Sequence, residues 1–71
     1  MDSAFEQITN DILADPLFQE TRHFVHHGAE NSVYDHSVAT AQAAYAIALR
    51  LGLTESEVIS VTRAALLHDF F

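Results

Sequence analysis

Three residues in the second half of the chain could bind a metal ion together: His36, His68 and Asp69. They would offer two imidazole nitrogens and one carboxylate oxygen, which suits a divalent transition metal (Mn, Fe, Co, Ni or Zn) better than calcium. The chain has no cysteine, so its five histidines are the only soft ligands it contains. A single inward-facing histidine is more often a hydrogen-bonded core residue than a metal ligand. The positions of all three residues in the fold therefore decide between the two interpretations.

Capping signals predict two consecutive helices around these residues. Ser32 is followed three residues later by a carboxylate, which is a variant of the capping box, and Gly52 fits the left-handed position after a helix C-terminus. Thr54, with a glutamate three residues later, begins a second helix. We predict helices over 32–51 and over 55–68, joined as an αα-hairpin at 32–69.

This hairpin would bring His36 and His68 to the same level. His36 lies 15 residues before Leu51, and His68 lies 13 residues after Glu55. At the rise of an α-helix these offsets correspond to roughly 22 and 20 Å. Asp69 is rotated by roughly 100° from His68, so a shared ion would lie between the two directions. The apolar and small residues at helical spacing from each histidine predict that both rings point into the packed side of the hairpin. These residues are Val33, Thr40, Ala43, Ala44, Ile47 and Leu51 for His36, and Val58, Val61, Ala64 and Ala65 for His68.

The first half of the chain also has helical character. A helix is predicted over 3–14, and Asp15 followed by Pro16 ends it and begins a short helix that runs through Arg22. The segment 26–31 has no periodicity and contains a glycine, so it is predicted to be a loop. The sequence thus predicts an all-α fold of about four helices.

The charge composition limits the partners of the chain. It has three arginines, no lysine and ten acidic residues, which gives a net charge of −7. A nucleic acid polymer is therefore excluded as a partner, because its capture requires clustered cations. There is no basic, apolar leader of the signal-peptide type and no apolar run long enough to span a membrane. We expect a cytoplasmic protein with no membrane partner.

The segment HHGAENSVYDHSVATAQAAYAIALRLGL, followed by AALLHDFF, resembles the HD superfamily of metal-dependent phosphohydrolases. The pattern of that family is one histidine, a later adjacent His-Asp pair and a still later aspartate. His36 matches the first histidine and His68-Asp69 matches the pair, and the resemblance covers about residues 22–71. It implies a helical bundle in which these three residues bind the metal and act in catalysis through a metal-activated water. The implied substrate is a phosphate ester, either a phosphorylated small molecule or a nucleotide.

The last aspartate of the family pattern has no counterpart in the 71 residues. We therefore expect the chain to be the N-terminal part of a single, truncated HD domain, with leading helices and a loop in 1–31 and the ligand-bearing helix pair in 32–71. Such a fragment is expected to be inactive alone. It is also expected to form homo-oligomers through exposed apolar side chains near its end, namely Leu66, Leu67, Phe70 and Phe71.

Two further residues are candidates for contact with substrate. His27 lies in the loop before the first ligand helix and could hold a phosphate, or it could be an exposed loop residue. Arg22 could bind phosphate in bidentate fashion, or pair with Glu20, Asp15 or a helix terminus. The main alternative to an enzyme is a non-catalytic HD-like helical module for partner binding. A dimerisation unit is the other alternative, suggested by the small residues Ala39, Ala41, Ala43, Ala44, Ala46 and Ala48.

Overall fold

The computed structural model describes residues 3–24 and 32–68. Within these ranges the chain forms four α-helices and one 3-10 turn, in agreement with the predicted all-α fold. The elements are α1 (Ser3–Leu13), α2 (Pro16–Gln19), the 3-10 turn (Glu20–His23), α3 (Val33–Arg50) and α4 (Glu55–Leu67). No helix in the described ranges is long and apolar enough to cross a membrane.

The boundaries of α3 and α4 are those that the capping signals predict. The Ser32 hydroxyl accepts a hydrogen bond from the backbone N–H of Asp35 at 3.2 Å, and it caps α3. At the start of α4, the Glu57 N–H donates to Thr54 Oγ1 at 3.2 Å and the Thr54 N–H donates to Glu57 Oε1 at 2.9 Å. Gly52 follows α3 with a φ of 72°, the left-handed conformation that glycine adopts without steric cost.

The helices of the first half also follow from their end signals. α1 ends one residue earlier than the predicted 3–14. The Asp15 side chain then caps α2 by accepting from Leu17 N at 2.8 Å and Phe18 N at 3.3 Å. Continuous α-helix through Arg22 is wrong, since α2 is four residues long and the 3-10 turn carries the chain on to His23. The loop predicted over 26–31 lies outside the described residues.

One core connects both halves of the described chain. Its buried members come from all four helices and are Phe5, Ile12, Phe18, Ala41 and Leu66. The prediction that Leu66 is exposed and available for oligomerisation is wrong, because its side chain is 0% exposed in this core. Phe70 and Phe71 lie outside the described residues. The ring of Tyr45 packs edge-on against Phe5, with 5.7 Å between the ring centroids. The leading helices therefore pack on the same core as the α3/α4 hairpin.

None of the residues predicted for the packing face of α3 is buried, whereas in α4 Val58 is buried as predicted and Val61 is not. The residues buried in α3 are Ser37, Ala41 and Ala48, and those in α4 are Val58, Thr62 and Leu66. In contrast, Ile47 is 57% exposed, Leu51 is 70% exposed and Val61 is 40% exposed. The reason is that the contact surface of α3 consists of small side chains, and the size of the side chains at a contact sets how closely two helices approach. The larger apolar residues Ile47, Leu51 and Val61 lie outside this contact surface and are exposed.

An ion pair between Asp11 and Arg63 links α1 and α4. Arg63 donates to both carboxylate oxygens of Asp11, at 2.7 and 2.9 Å, and to the carbonyl oxygen of Ile8 at 2.9 Å. The hydrogen bonds from Arg63 hold the pKa of Asp11 below its ordinary value, and the same bonds raise the pKa of Arg63. The bidentate geometry links two elements that are distant in sequence.

Candidate metal centre

The hairpin brings His36 and His68 together. His36 lies in the first turns of α3, where its backbone N–H donates to the Ser32 carbonyl at 3.0 Å, and His68 is the C-cap residue of α4. Their ring centroids are 6.1 Å apart and the ring planes are inclined by 51°. The prediction that the two histidines return to the same level of the hairpin is confirmed.

The sequence predicted that both rings point into the packed side of the hairpin, and this prediction is wrong. Both His36 and His68 are exposed. They lie on the flank of the hairpin because the buried face of α3 is centred on Ser37 and Ala41, and successive residues of a helix are rotated by about 100°. The two rings are therefore not buried core histidines.

A backbone hydrogen bond fixes the tautomer of His68. Its Nδ1 lies 2.6 Å from the carbonyl oxygen of Ala65. A carbonyl oxygen only accepts, so Nδ1 carries the proton and the neutral ring has its lone pair on Nε2. Histidines that bind metals are commonly oriented in this way by a carbonyl on the other ring nitrogen.

The distance between the two imidazoles limits how they could share an ion. Histidine nitrogens bind transition metals at ~2.0–2.1 Å, so one ion could contact both rings at this separation only where a nitrogen of each ring faces it. Asp69, the predicted third ligand, lies outside the described residues. Within residues 3–24 and 32–68 no three His, Cys, Asp or Glu side chains are grouped to hold a metal ion. Of the three residues predicted as ligands, the described part of the chain thus shows that His36 and His68 lie close together.

Arg22 is held in a defined orientation near the same end of α3. Its guanidinium carbon lies 4.0 Å from the ring centroid of Tyr34, and its Nε donates to Gln19 Oε1 at 2.7 Å. The Tyr34 ring in turn packs against Phe18, with 5.5 Å between centroids. The predicted alternative, an ion pair with Glu20 or Asp15, is not what the structure forms. His27, the other predicted substrate contact, lies outside the described residues.

Three groups around these candidates were not predicted from the sequence: the Ala65 carbonyl, the Gln19 amide and the face of the Tyr34 ring. Of these, only the position of Gln19 carries a weak signal in the sequence. Gln19 precedes Arg22 by three residues, a spacing at which helical side chains meet. No sequence signal identifies the Ala65 carbonyl, because every residue has one.

The fold and the histidine pair define an all-α protein with a candidate transition-metal site at one end of a helical hairpin. The family model described as HD domain matches residues 33–71, which is more than half of the chain. The chain therefore belongs to the HD domain family, whose members are generally metal-dependent phosphohydrolases and typically bind divalent metals. Comparisons with curated proteins and with solved structures give no match.

Proposed function

We propose that this HD domain acts in the metal-dependent hydrolysis of a phosphate ester, with His36, His68 and Asp69 as its metal ligands. The observation that carries the proposal is the 6.1 Å separation of the two histidine rings inside the segment that the family model matches. The expected metal is a divalent transition ion (Mn, Fe, Co, Ni or Zn), because the donor set combines imidazole nitrogens with a carboxylate.

Each ligand has a separate role in the proposed site. His68 binds through Nε2, because the Ala65 carbonyl holds its Nδ1 proton. His36 approaches from α3, so the ion would tie both helices of the hairpin together. Asp69 follows His68 directly in the chain and would offset part of the positive charge. When bound, the metal supplies an activated water and draws electron density from a phosphoryl oxygen.

Arg22 is the proposed phosphate-binding residue. Tyr34 and Gln19 restrain its guanidinium, so the side chain loses little conformational freedom when it binds an anion. Its terminal nitrogens are suited to bidentate contact with phosphate. His27 is proposed as a second contact on the basis of its place in the sequence. The substrate would be a phosphorylated small molecule or a nucleotide, since a chain of net charge −7 does not favour a nucleic acid polymer.

We also propose that residues 1–71 belong to a single HD domain and do not form two units. The family match begins at residue 33 and leaves residues 1–32 outside it. Phe5, Ile12 and Phe18 from the leading helices share one buried cluster with Ala41 and Leu66 of the hairpin. A common core of this kind supports one folding unit.

Metal analysis of three alanine variants tests the site. The wild-type chain and each variant are loaded with Mn, Fe, Co, Ni or Zn, dialysed, and analysed for bound metal by elemental analysis. His36→Ala and His68→Ala should each lose most of the bound metal, because each deletes a direct ligand. His23→Ala is the matched control, since His23 is exposed in the 3-10 turn. Equal losses in all three variants would refute the metal site and favour the non-catalytic helical module.

Hydrolysis is tested separately in a protein that contains the whole HD domain. The proposed function requires turnover of phosphate esters or nucleoside monophosphates that depends on added metal and is abolished by His36→Ala. A metal that binds as proposed without any such turnover would contradict the hydrolase assignment while leaving the ligand assignment intact.

A further inference from the structure

A second candidate site lies away from the histidines, in an open cleft of about 870 Å³. It is bounded by α1, by the C-terminal part of α3 and by the first three turns of α4. Neither His36 nor His68 lines it. Its volume is within the ~300–1,000 Å³ that is usual for small-molecule sites.

The walls of the cleft are mainly apolar. They include Ile8 of α1, Tyr45 and Leu49 of α3, and Val58 and Ile59 of α4. Val58 is only 5% exposed and forms part of the floor, whereas Leu49 is 53% exposed at the rim. An apolar ligand body would therefore cover surface that now faces water, which is favourable in proportion to the area removed from it.

The two ends of the cleft differ in charge. Asp11 and Arg63 both line it and neutralise each other, and all the contacts of the Arg63 guanidinium go to Asp11 and the Ile8 carbonyl. Glu55 lies eight residues earlier on α4, about 12 Å away along the helix. Within the described residues no cation pairs with Glu55. The unneutralised charge of the cleft is thus negative, and so is that of the whole chain at −7.

We propose that this cleft binds a small amphiphilic molecule with an apolar body and one ammonium group. The apolar body lies along Leu49, Val58 and Ile59, and the ammonium group pairs with the Glu55 carboxylate. An amphiphile with a carboxylate head is disfavoured, because Arg63 is already engaged and the remaining field is negative. This site is independent of the proposed metal centre.

The test compares two probes with the same chain length and opposite head groups, n-octylammonium and octanoate. Both are titrated below their micelle-forming concentrations into ¹⁵N-labelled protein and followed by NMR. Octylammonium should bind about tenfold more tightly than octanoate, with shifts concentrated at the cleft residues. Glu55→Gln should remove that preference, and Leu49→Ser should weaken both probes.

Two exposed positions outside the cleft supply matched controls. Leu17 is 70% exposed and Glu20 is exposed in the 3-10 turn, so Leu17→Ser and Glu20→Gln should leave both affinities unchanged. Equal affinity for the two probes, a preference that survives Glu55→Gln, or shifts centred elsewhere on the surface would each overturn the proposal. The Glu55 variant decides the matter even if Leu49→Ser fails to fold, because it changes only an exposed side chain.

Discussion

At the scale of single residues, the buried threonines differ in how their hydroxyl groups are used. The Thr9 hydroxyl donates to the Phe5 carbonyl at 2.8 Å, and the Thr21 hydroxyl donates to the Phe18 carbonyl at 2.6 Å. Thr62 is fully buried as well, yet its Oγ1 has no hydrogen-bond partner in the part of the chain described. A buried hydroxyl without a partner costs about 1–3 kcal/mol of desolvation.

Thr62→Val should therefore stabilise the chain. Valine has nearly the same shape and removes the hydroxyl, so we expect the free energy of unfolding to rise by about 1 kcal/mol. Thr9→Val is the matched control and should lower it by about 0.5–1.5 kcal/mol, because there the hydroxyl makes a hydrogen bond. Urea unfolding measures both. A loss of stability at Thr62 equal to that at Thr9 would mean that the Thr62 hydroxyl has a partner in solution.

The proposed role of Arg22 is also a matter of one residue. A nucleoside monophosphate titrated into the protein should shift the Nε–H resonance of Arg22, and Arg22→Gln should weaken binding by about tenfold, as expected for loss of a charge-assisted pair. Arg50→Gln removes the same charge from the opposite end of α3 and should have little effect. Equal weakening in both variants would show that only net charge matters.

At the scale of helices, the sequence predicts boundaries better than faces. Capping residues act through local hydrogen bonds, so Ser32, Thr54 and Gly52 set the ends of α3 and α4 as expected. Packing faces depend on tertiary contacts. In α3 the contact residues Ser37 and Ala41 are small or polar, so the face predicted from residues at helical spacing from His36 was not the buried one.

For the candidate site, too, one part could be predicted from the sequence and another part could not. The level at which His36 and His68 meet follows from the helical rise and the length of the turn, and so it could be predicted. The exposure of the two rings was not predicted, because the packing faces of the helices were assigned wrongly. The hydrogen bond of His68 with Ala65 and the stacking of Arg22 on Tyr34 depend on side-chain rotamers, which a single sequence does not specify.

Gly52 gives a prediction for the turn between α3 and α4. Its φ of 72° is costly for a residue with a β-carbon, although a β-carbon there would meet nothing within 4 Å. Gly52→Ala should therefore lower the free energy of unfolding by about 1–2 kcal/mol through backbone strain alone. Gly52→Asn should cost less, because asparagine tolerates this conformation better. Thermal or urea unfolding checks the order, and a neutral alanine variant would contradict the left-handed turn.

At the scale of the whole molecule, two carboxylates among the described residues link stability to pH. The hydrogen bonds from Arg63 lower the pKa of Asp11, and the Thr54 backbone N–H lowers the pKa of Glu57. Both groups bind protons more weakly when the chain is folded, so the unfolded state takes up more protons as the pH falls. Their stabilising contribution is complete above the unfolded-state pKa values of ~3.9 for Asp and ~4.3 for Glu. It is lost as the pH falls through the lower folded-state values.

The difference in stability between the wild type and Asp11→Asn should follow this pH dependence. The pH dependence of the wild-type stability alone would combine the loss of these contributions with a second effect. Acid also relieves the repulsion among the charges that make up the net −7. The wild type should be the more stable protein at neutral pH, since only it has the α1–α4 ion pair, and the advantage should shrink below pH ~4 and vanish in stronger acid. Glu20→Gln replaces an exposed carboxylate and is the control. Its free energy of unfolding in urea should differ from that of the wild type by the same amount at each pH. A difference for Asp11→Asn that stays constant into strong acid would show that the bond between Asp11 and Arg63 does not depend on the carboxylate charge.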